Sequence, residues 1–151
     1  MSRAVLIGLE ALLLIGLWLG LPLLRPAATS ALPPGSSGLR LGESGVVEVL
    51  RLKVPDAQRS CWSQAEALSW DPWLRQQAGY RGRELLWDAK RQEGVLLIGW
   101  SRQADWDAIP TAQLEALQAH FEAEARRCLA LEEGAANPFP LLSSGALLPE
   151  R

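Results

Sequence analysis

From Ala4 to Leu24 the chain is apolar at every position except Glu10, and no other feature limits so strictly what the sequence can become. Those 21 residues make roughly 31 Å of helix against a hydrocarbon core of about 30 Å. One reading is a cleaved secretory signal, with Arg3 as its basic start, Ala11 to Leu24 as its apolar stretch, and Ala28, Thr29, Ser30 and Ala31 as the cleavage zone. Another is an uncleaved anchor of full spanning length, with Trp18 near the outer interface. A buried core helix is the third. Arg3 and Arg25 flank the segment on both sides, so the positive-inside rule does not orient it. The first two readings carry the rest of the chain across a membrane, out of the cytoplasm and into a periplasm or lumen.

Residues 26–45 hold Pro33, Pro34, Gly35, Ser36, Ser37, Gly38, Gly42 and Gly45 and little to bury, the composition of a flexible tether. At Val46 the composition changes, which divides the chain into a signal or anchor segment (1–25), a linker (26–45) and a folded domain (46–148). The whole chain has 15 Lys and Arg against 17 Asp and Glu, a net charge of −2. Setting aside Arg3, Arg25, Arg40, Glu10 and Glu43 leaves the domain slightly more acidic still. A nucleic-acid partner is therefore not expected, because no basic excess draws in phosphates. Two cysteines and one histidine cannot build a Cys₄ or Cys₂His₂ zinc site within one chain. No metal site and no cofactor motif is read, since the sequence carries no Gly-rich phosphate loop and no serine-nucleophile motif.

Within the domain, the run from Val46 to Val54 is rich in branched residues and reads as a strand that Pro55 stops. Cys61, Ala65 and Leu68 form a helical stripe, and Asp71-Pro72 is a natural place for that helix to break and restart. Arg83 to Ala89 and Val95 to Trp100 read as a strand pair across a polar turn. The second of these is apolar on both faces, so both faces of the sheet need cover. Helices supply one layer, and in so small a protein a second copy supplies the other, which predicts a homodimer. Ser101 is a plausible helix cap and Pro110 a restart. Leu114, Leu117, Phe121 and Cys128 then continue a helical stripe, and Phe139 to Leu148 reads as a fourth strand or a loose tail.

The order β-α-β-β-α-β is α+β and ferredoxin-like. Three marks add a resemblance: the opening strand Val46 to Val54, the turn Gly79-Tyr80-Arg81-Gly82, and the segment from Gly99 through Trp100, Ser101, Arg102 and Trp106 to Pro110. Together they resemble a small, uncharacterised, largely cyanobacterial family with an N-terminal hydrophobic segment and a dimeric α/β-barrel domain. More distantly the domain is similar to the antibiotic-biosynthesis-monooxygenase-like barrels. That resemblance implies a βαββαβ fold. Some of those barrels oxidise aromatic substrates without a cofactor, some degrade haem, and activity does not transfer with the fold.

The candidate pocket residues are Trp100, Trp106, His120 and Tyr80. His120 is the only histidine, and so the one side chain that titrates near neutrality without a large shift. The haem-degrading relatives set a histidine against a tryptophan and a first-strand asparagine, and no asparagine lies between Val46 and Val54. The bland reading is a structural or solvent-facing His120. Six of the seven tryptophans fall in the domain, as the lining of a flat aromatic pocket or as ordinary core and interface rings. Asp105 and Asp107 are further acidic candidates without a partner in sequence. In a ferredoxin-like arrangement the two helices run antiparallel, which brings Cys61 near Cys128; a disulfide and two free thiols both remain open. Two functions are compatible with these residues. One is a membrane-tethered or exported dimeric module that binds a small apolar or aromatic ligand or a partner protein; the other is a cofactor-independent monooxygenase or haem-modifying enzyme.

Overall fold

The computed structural model describes residues 38–150. The hydrophobic segment and the linker up to residue 37 lie outside the described residues, and among those described no helix is long and apolar enough to cross a membrane. Strand β1 (Val46–Lys53) leads to α1 (Arg59–Leu68) and the short α2 (Trp70–Leu74). The hairpin of β2 (Tyr80–Asp88) and β3 (Glu93–Trp100) comes next, then α3 (Gln103–Asp107), the long α4 (Thr111–Cys128) and β4 (Leu141–Leu147). The strands form one antiparallel sheet in the order β2-β3-β1-β4, an α+β, ferredoxin-like topology. Phe139 to Leu148 thus contains a paired strand rather than a loose tail, beginning at Leu141.

Alternation along the strands decides which side chains meet the helices. Val46, Glu48, Leu50 and Leu52 of β1 share a face with Trp100, Ile98, Leu96 and Gly94 of β3. Against that face α1 buries Trp62, Ala65 and Glu66, Ser69 follows at its C-terminal cap, and α4 buries Phe121 and Ala125. Gly94 has no side chain because the Trp62 ring fills the space, so that a Cβ there would meet it at 2.7 Å. The buried stripe of α1 runs one position on from the expected Cys61, Ala65 and Leu68. Leu68 is exposed, because Glu66 turns inward to an ion pair and takes the helix face with it. The helix also breaks earlier than Asp71-Pro72: the kink falls at Ser69, whose hydroxyl donates to the Ala65 carbonyl at 2.6 Å.

A β-bulge and a disulfide fix the geometry around this face. Tyr80 pairs with Trp100 and Arg83 with Ile98, so β2 carries one residue more than β3 over that stretch. Gly82 sits in the bulge at φ 100°, where a side chain would be strained. The extra residue turns Arg83 to the helix side; in unbroken register it would oppose Leu97 on the outer face. The Cys61–Cys128 disulfide, with Cα atoms 5.5 Å apart, ties the start of α1 to the end of α4.

The outer face of the sheet carries Leu86, Val95, Leu97, Val49 and Leu147, with Leu86 50% and Leu147 57% exposed. Sheet contacts begin ahead of Val46, within the stretch read as linker. The Leu39 amide donates to Glu84 at 3.1 Å, the Arg40 amide to the Arg81 carbonyl at 3.2 Å, and the Gly45 amide to the Trp100 carbonyl at 2.8 Å.

Candidate functional site

Between the helices and the inner face of the sheet lies a cavity of about 670 Å³. Its floor comes from β1 and β3 (Glu48, Leu50, Leu52, Leu96, Ile98, Trp100), its walls from Trp70, Trp73 and Leu74 of the α1–α2 side and Trp106 of α3. Leu114, Glu115, Gln118, Phe121 and Glu122 of α4 and the loop residues Asn137 and Phe139 add to it, and Glu66 and Arg83 reach it from α1 and β2. The domain core is split between two clusters, one around Trp62, Phe121 and Phe139 and one around Val46, Leu74 and Trp100. Both contribute lining to the cavity. Four tryptophans give it flat walls, and Trp70 and Trp73 stand edge to face, 6.1 Å apart at 88°.

Besides the polar side chains of α4 and the loop, two polar features interrupt this lining. Glu48 projects from β1 on the helix side, and its carboxylate accepts the Trp100 indole N–H at 3.3 Å. Burial pushes the Glu48 carboxyl above its ordinary value, with the indole hydrogen bond opposing that shift. The second feature is a buried charge cluster. Arg83 Nη1 donates to Glu66 Oε2 at 2.7 Å, and Arg83 Nε faces Asp71 Oδ1 at 3.3 Å. Arg75 donates to the other Asp71 oxygen at 2.8 and 3.0 Å. Burial raises the Glu66 carboxyl while the Arg83 guanidinium opposes it.

Of the four pocket candidates, Trp100 and Trp106 line the cavity, while Tyr80 and His120 do not. Tyr80 packs its ring edge-on against Trp100 at 6.1 Å instead. His120 is exposed on α4, with Nε2 3.3 Å from the Leu68 carbonyl. One residue along a helix is a rotation of about 100°, so the neighbour of buried Phe121 leaves the core face. A haem ligand inside this cavity therefore cannot come from His120. Asp105 is held by Arg102 and Ser101, which keep its carboxyl below its ordinary value, and Asp107 accepts from Gln103 at 2.8 Å. Neither lines the cavity.

The residues missed from sequence are Glu48, Glu66 and Arg83. Each sits at a position whose periodicity belongs to the core: Glu48 alternates with Val46, Leu50 and Leu52, and Arg83 with Leu85 and Trp87. Among the described residues no group of three or more potential ligands could hold a metal ion.

A four-stranded antiparallel sheet, a helix layer on one face and an aromatic cavity between them define a ferredoxin-like α+β domain. Among solved structures, the fold matches a monooxygenase of Streptomyces coelicolor from the gene ActVA-Orf6, determined in complex with nanaomycin D. That match has a TM-score of 0.50 and 15% identity, and covers 73% of this chain and 91% of that one. SnoaB, a cofactor-independent oxygenase from Streptomyces nogalater, aligns with a TM-score of 0.42 and 19% identity over 72% of this chain and 95% of its own. Rv0793 from Mycobacterium tuberculosis aligns with a TM-score of 0.42 and 18% identity, over 70% and 95%. At such identities the likeness is one of fold. No protein-family model matches the sequence, and no curated protein does.

Proposed function

We propose that the protein is a cofactor-independent oxygenase acting on a flat aromatic substrate. The observation that carries the reading is Glu48, a carboxylate with a raised pKa set into a cavity walled by tryptophans. The match to a monooxygenase solved with nanaomycin D supports it.

The chemistry needs a base and an electron-rich carbon acid, because a resonance-stabilised carbanion reduces dioxygen directly. Glu48 takes a proton from a ring methylene. One electron passes from the anion to O₂, and the radical pair combines into a C–O bond. The protonated Glu48 returns its proton to the distal peroxide oxygen. Glu48 then removes the remaining C–H proton as the O–O bond breaks, and the departing hydroxide leaves as water. One CH₂ and one O₂ become one C=O and one H₂O. A desolvated carboxylate is a stronger base than one in water, and a flat substrate held among the four indoles would itself displace water from Glu48.

The reading extends to assembly and place. The outer face of the sheet, apolar at Val47, Val49, Leu86, Val95 and Leu97 and flanked by Arg51 and Glu84, is suited to a second copy of the chain, giving a homodimer. The N-terminal hydrophobic segment would tether or export the domain, and the disulfide suits an oxidising compartment outside the cytoplasm. The other reading, a module that binds a small apolar or aromatic ligand without turnover, uses the same cavity.

Anthrone, whose methylene is acidified by its carbonyl, tests the two. Oxygen uptake and anthraquinone absorbance should rise with the full chain and fall about 100-fold or more in Glu48→Gln, the usual weight of a general base. Binding with no oxygen uptake would leave the module; an unchanged rate in Glu48→Gln would remove Glu48 from the chemistry.

A further inference from the structure

The charges around the cavity are unevenly compensated. Its charged lining residues are Glu48, Glu66, Arg83, Glu115 and Glu122. The single cation among them is already committed. Arg83 Nη1 serves the Glu66 carboxylate, Nη2 faces the Glu66 carbonyl at 3.4 Å, and Nε faces Asp71. Glu122 is held by Arg126 at 2.7 Å and Gln118 at 3.1 Å. Glu48 forms no ion pair among the described residues and has an indole N–H in place of a cation. Glu115, at the exposed rim, adds a second carboxylate with no ion pair among the described residues.

An anion entering this space gives up its hydration and finds no free cation to replace it. It also approaches Glu48 where low-dielectric walls strengthen repulsion. A neutral ring bearing an O–H or N–H loses far less. It can also add a hydrogen bond to a carboxylate that has about four acceptor sites and one donor on it. We propose that Glu48 selects the ligand by charge: the cavity takes neutral aromatic molecules, most tightly those that also carry a hydrogen-bond donor, and refuses anionic ones. This deepens the oxygenase reading by naming its substrate class, and it rests on the same cavity being the site.

The test is calorimetric titration of the detergent-solubilised full chain, with protein-free micelles as the blank, near pH 8 so that carboxylates are ionised. The probes are 2-naphthol and 2-naphthoate, alike in shape and different in charge. Naphthol should bind at least tenfold more tightly. Glu48→Gln and Glu48→Leu should each bring the two affinities within about threefold, mainly by admitting naphthoate; two variants of different polarity guard against a folding defect in one, checked by circular dichroism. Equal binding in the parent chain, tighter naphthoate, no binding of either probe, or undiminished discrimination in two folded variants would each overturn the proposal. Lost discrimination with anthrone turnover intact would sink the charge rule alone. Discrimination without turnover would sink the oxygenase reading alone.

Discussion

Replacing Arg83 with methionine removes the one cation from a site where two carboxylates have no other buried cation to neutralise them. Arg83 is 0% and Glu66 2% exposed, so solvent does not screen their pair. Asp71 keeps Arg75, which is 49% exposed and holds it only weakly. Breaking a buried pair by removing one partner costs about 3–5 kcal/mol. For a domain of this size that is a fall of roughly 12–20 °C in Tm. The pH dependence is the sharper signature. Burial already lifts the Glu66 carboxyl above 4.5, and without Arg83 it moves further up. A group whose folded pKa is raised contributes stability that is present below its unfolded value and is lost as pH rises through the folded one. The deficit of Arg83→Met relative to the parent should therefore be smallest near pH 4.5 and grow toward neutrality. Urea unfolding across that range measures it. Pairing the change with Glu66→Leu should recover at least half of the loss, because an apolar pair of similar volume needs no compensation. A deficit that is the same at every pH, or a double variant no better than the single, would show that Arg83 acts through its packing rather than its charge.

Three further outcomes are expected. Reducing the Cys61–Cys128 bond, which closes a loop with a sequence separation of 67, should lower stability by about 4 kcal/mol in the chain-entropy treatment; the alkylated, reduced chain should melt well below the oxidised one. Leu97→Glu puts a charge in the centre of the outer sheet face and should leave the chain monomeric by light scattering in detergent while its inner core stays folded. Trp106→Ala removes one wall of the cavity and should weaken 2-naphthol binding about tenfold, whereas His120→Ala, outside the cavity, should leave it unchanged in the same titration.

The fold was legible because its signals are local. A branched run marked β1, short apolar runs across a polar turn marked β2 and β3, and the helical stripe through Leu114, Leu117 and Phe121 marked α4. Phe139 to Leu148 was harder: all of β4 is exposed, so no face of it carries an apolar alternation to read. The proximity of the two cysteines came from topology, since antiparallel helices bring an early residue of one beside a late residue of the other. Which carboxylate meets Arg83 was not legible, because the ion pair joins a helix to a strand 17 residues away and depends on where the bulge at Gly82 turns the chain.

The candidate site was legible in part, and the part that escaped has a physical signature of its own. Rare, reactive residue types point to His120 and Tyr80, and neither lines the cavity. Polar residues at core-facing positions point elsewhere. Glu48 interrupts Val46, Leu50 and Leu52; Arg83 precedes Leu85 and Trp87; Glu66 completes the face of Trp62, Ala65 and Ser69. Burying a charge is costly enough that a fold retains one only where a partner or a task compensates. Glu66 and Arg83 compensate each other across the helix and sheet layers. Glu48 has only an indole N–H, and that imbalance, inside a cavity large enough for a ligand, is what separates the site from the rest of the core.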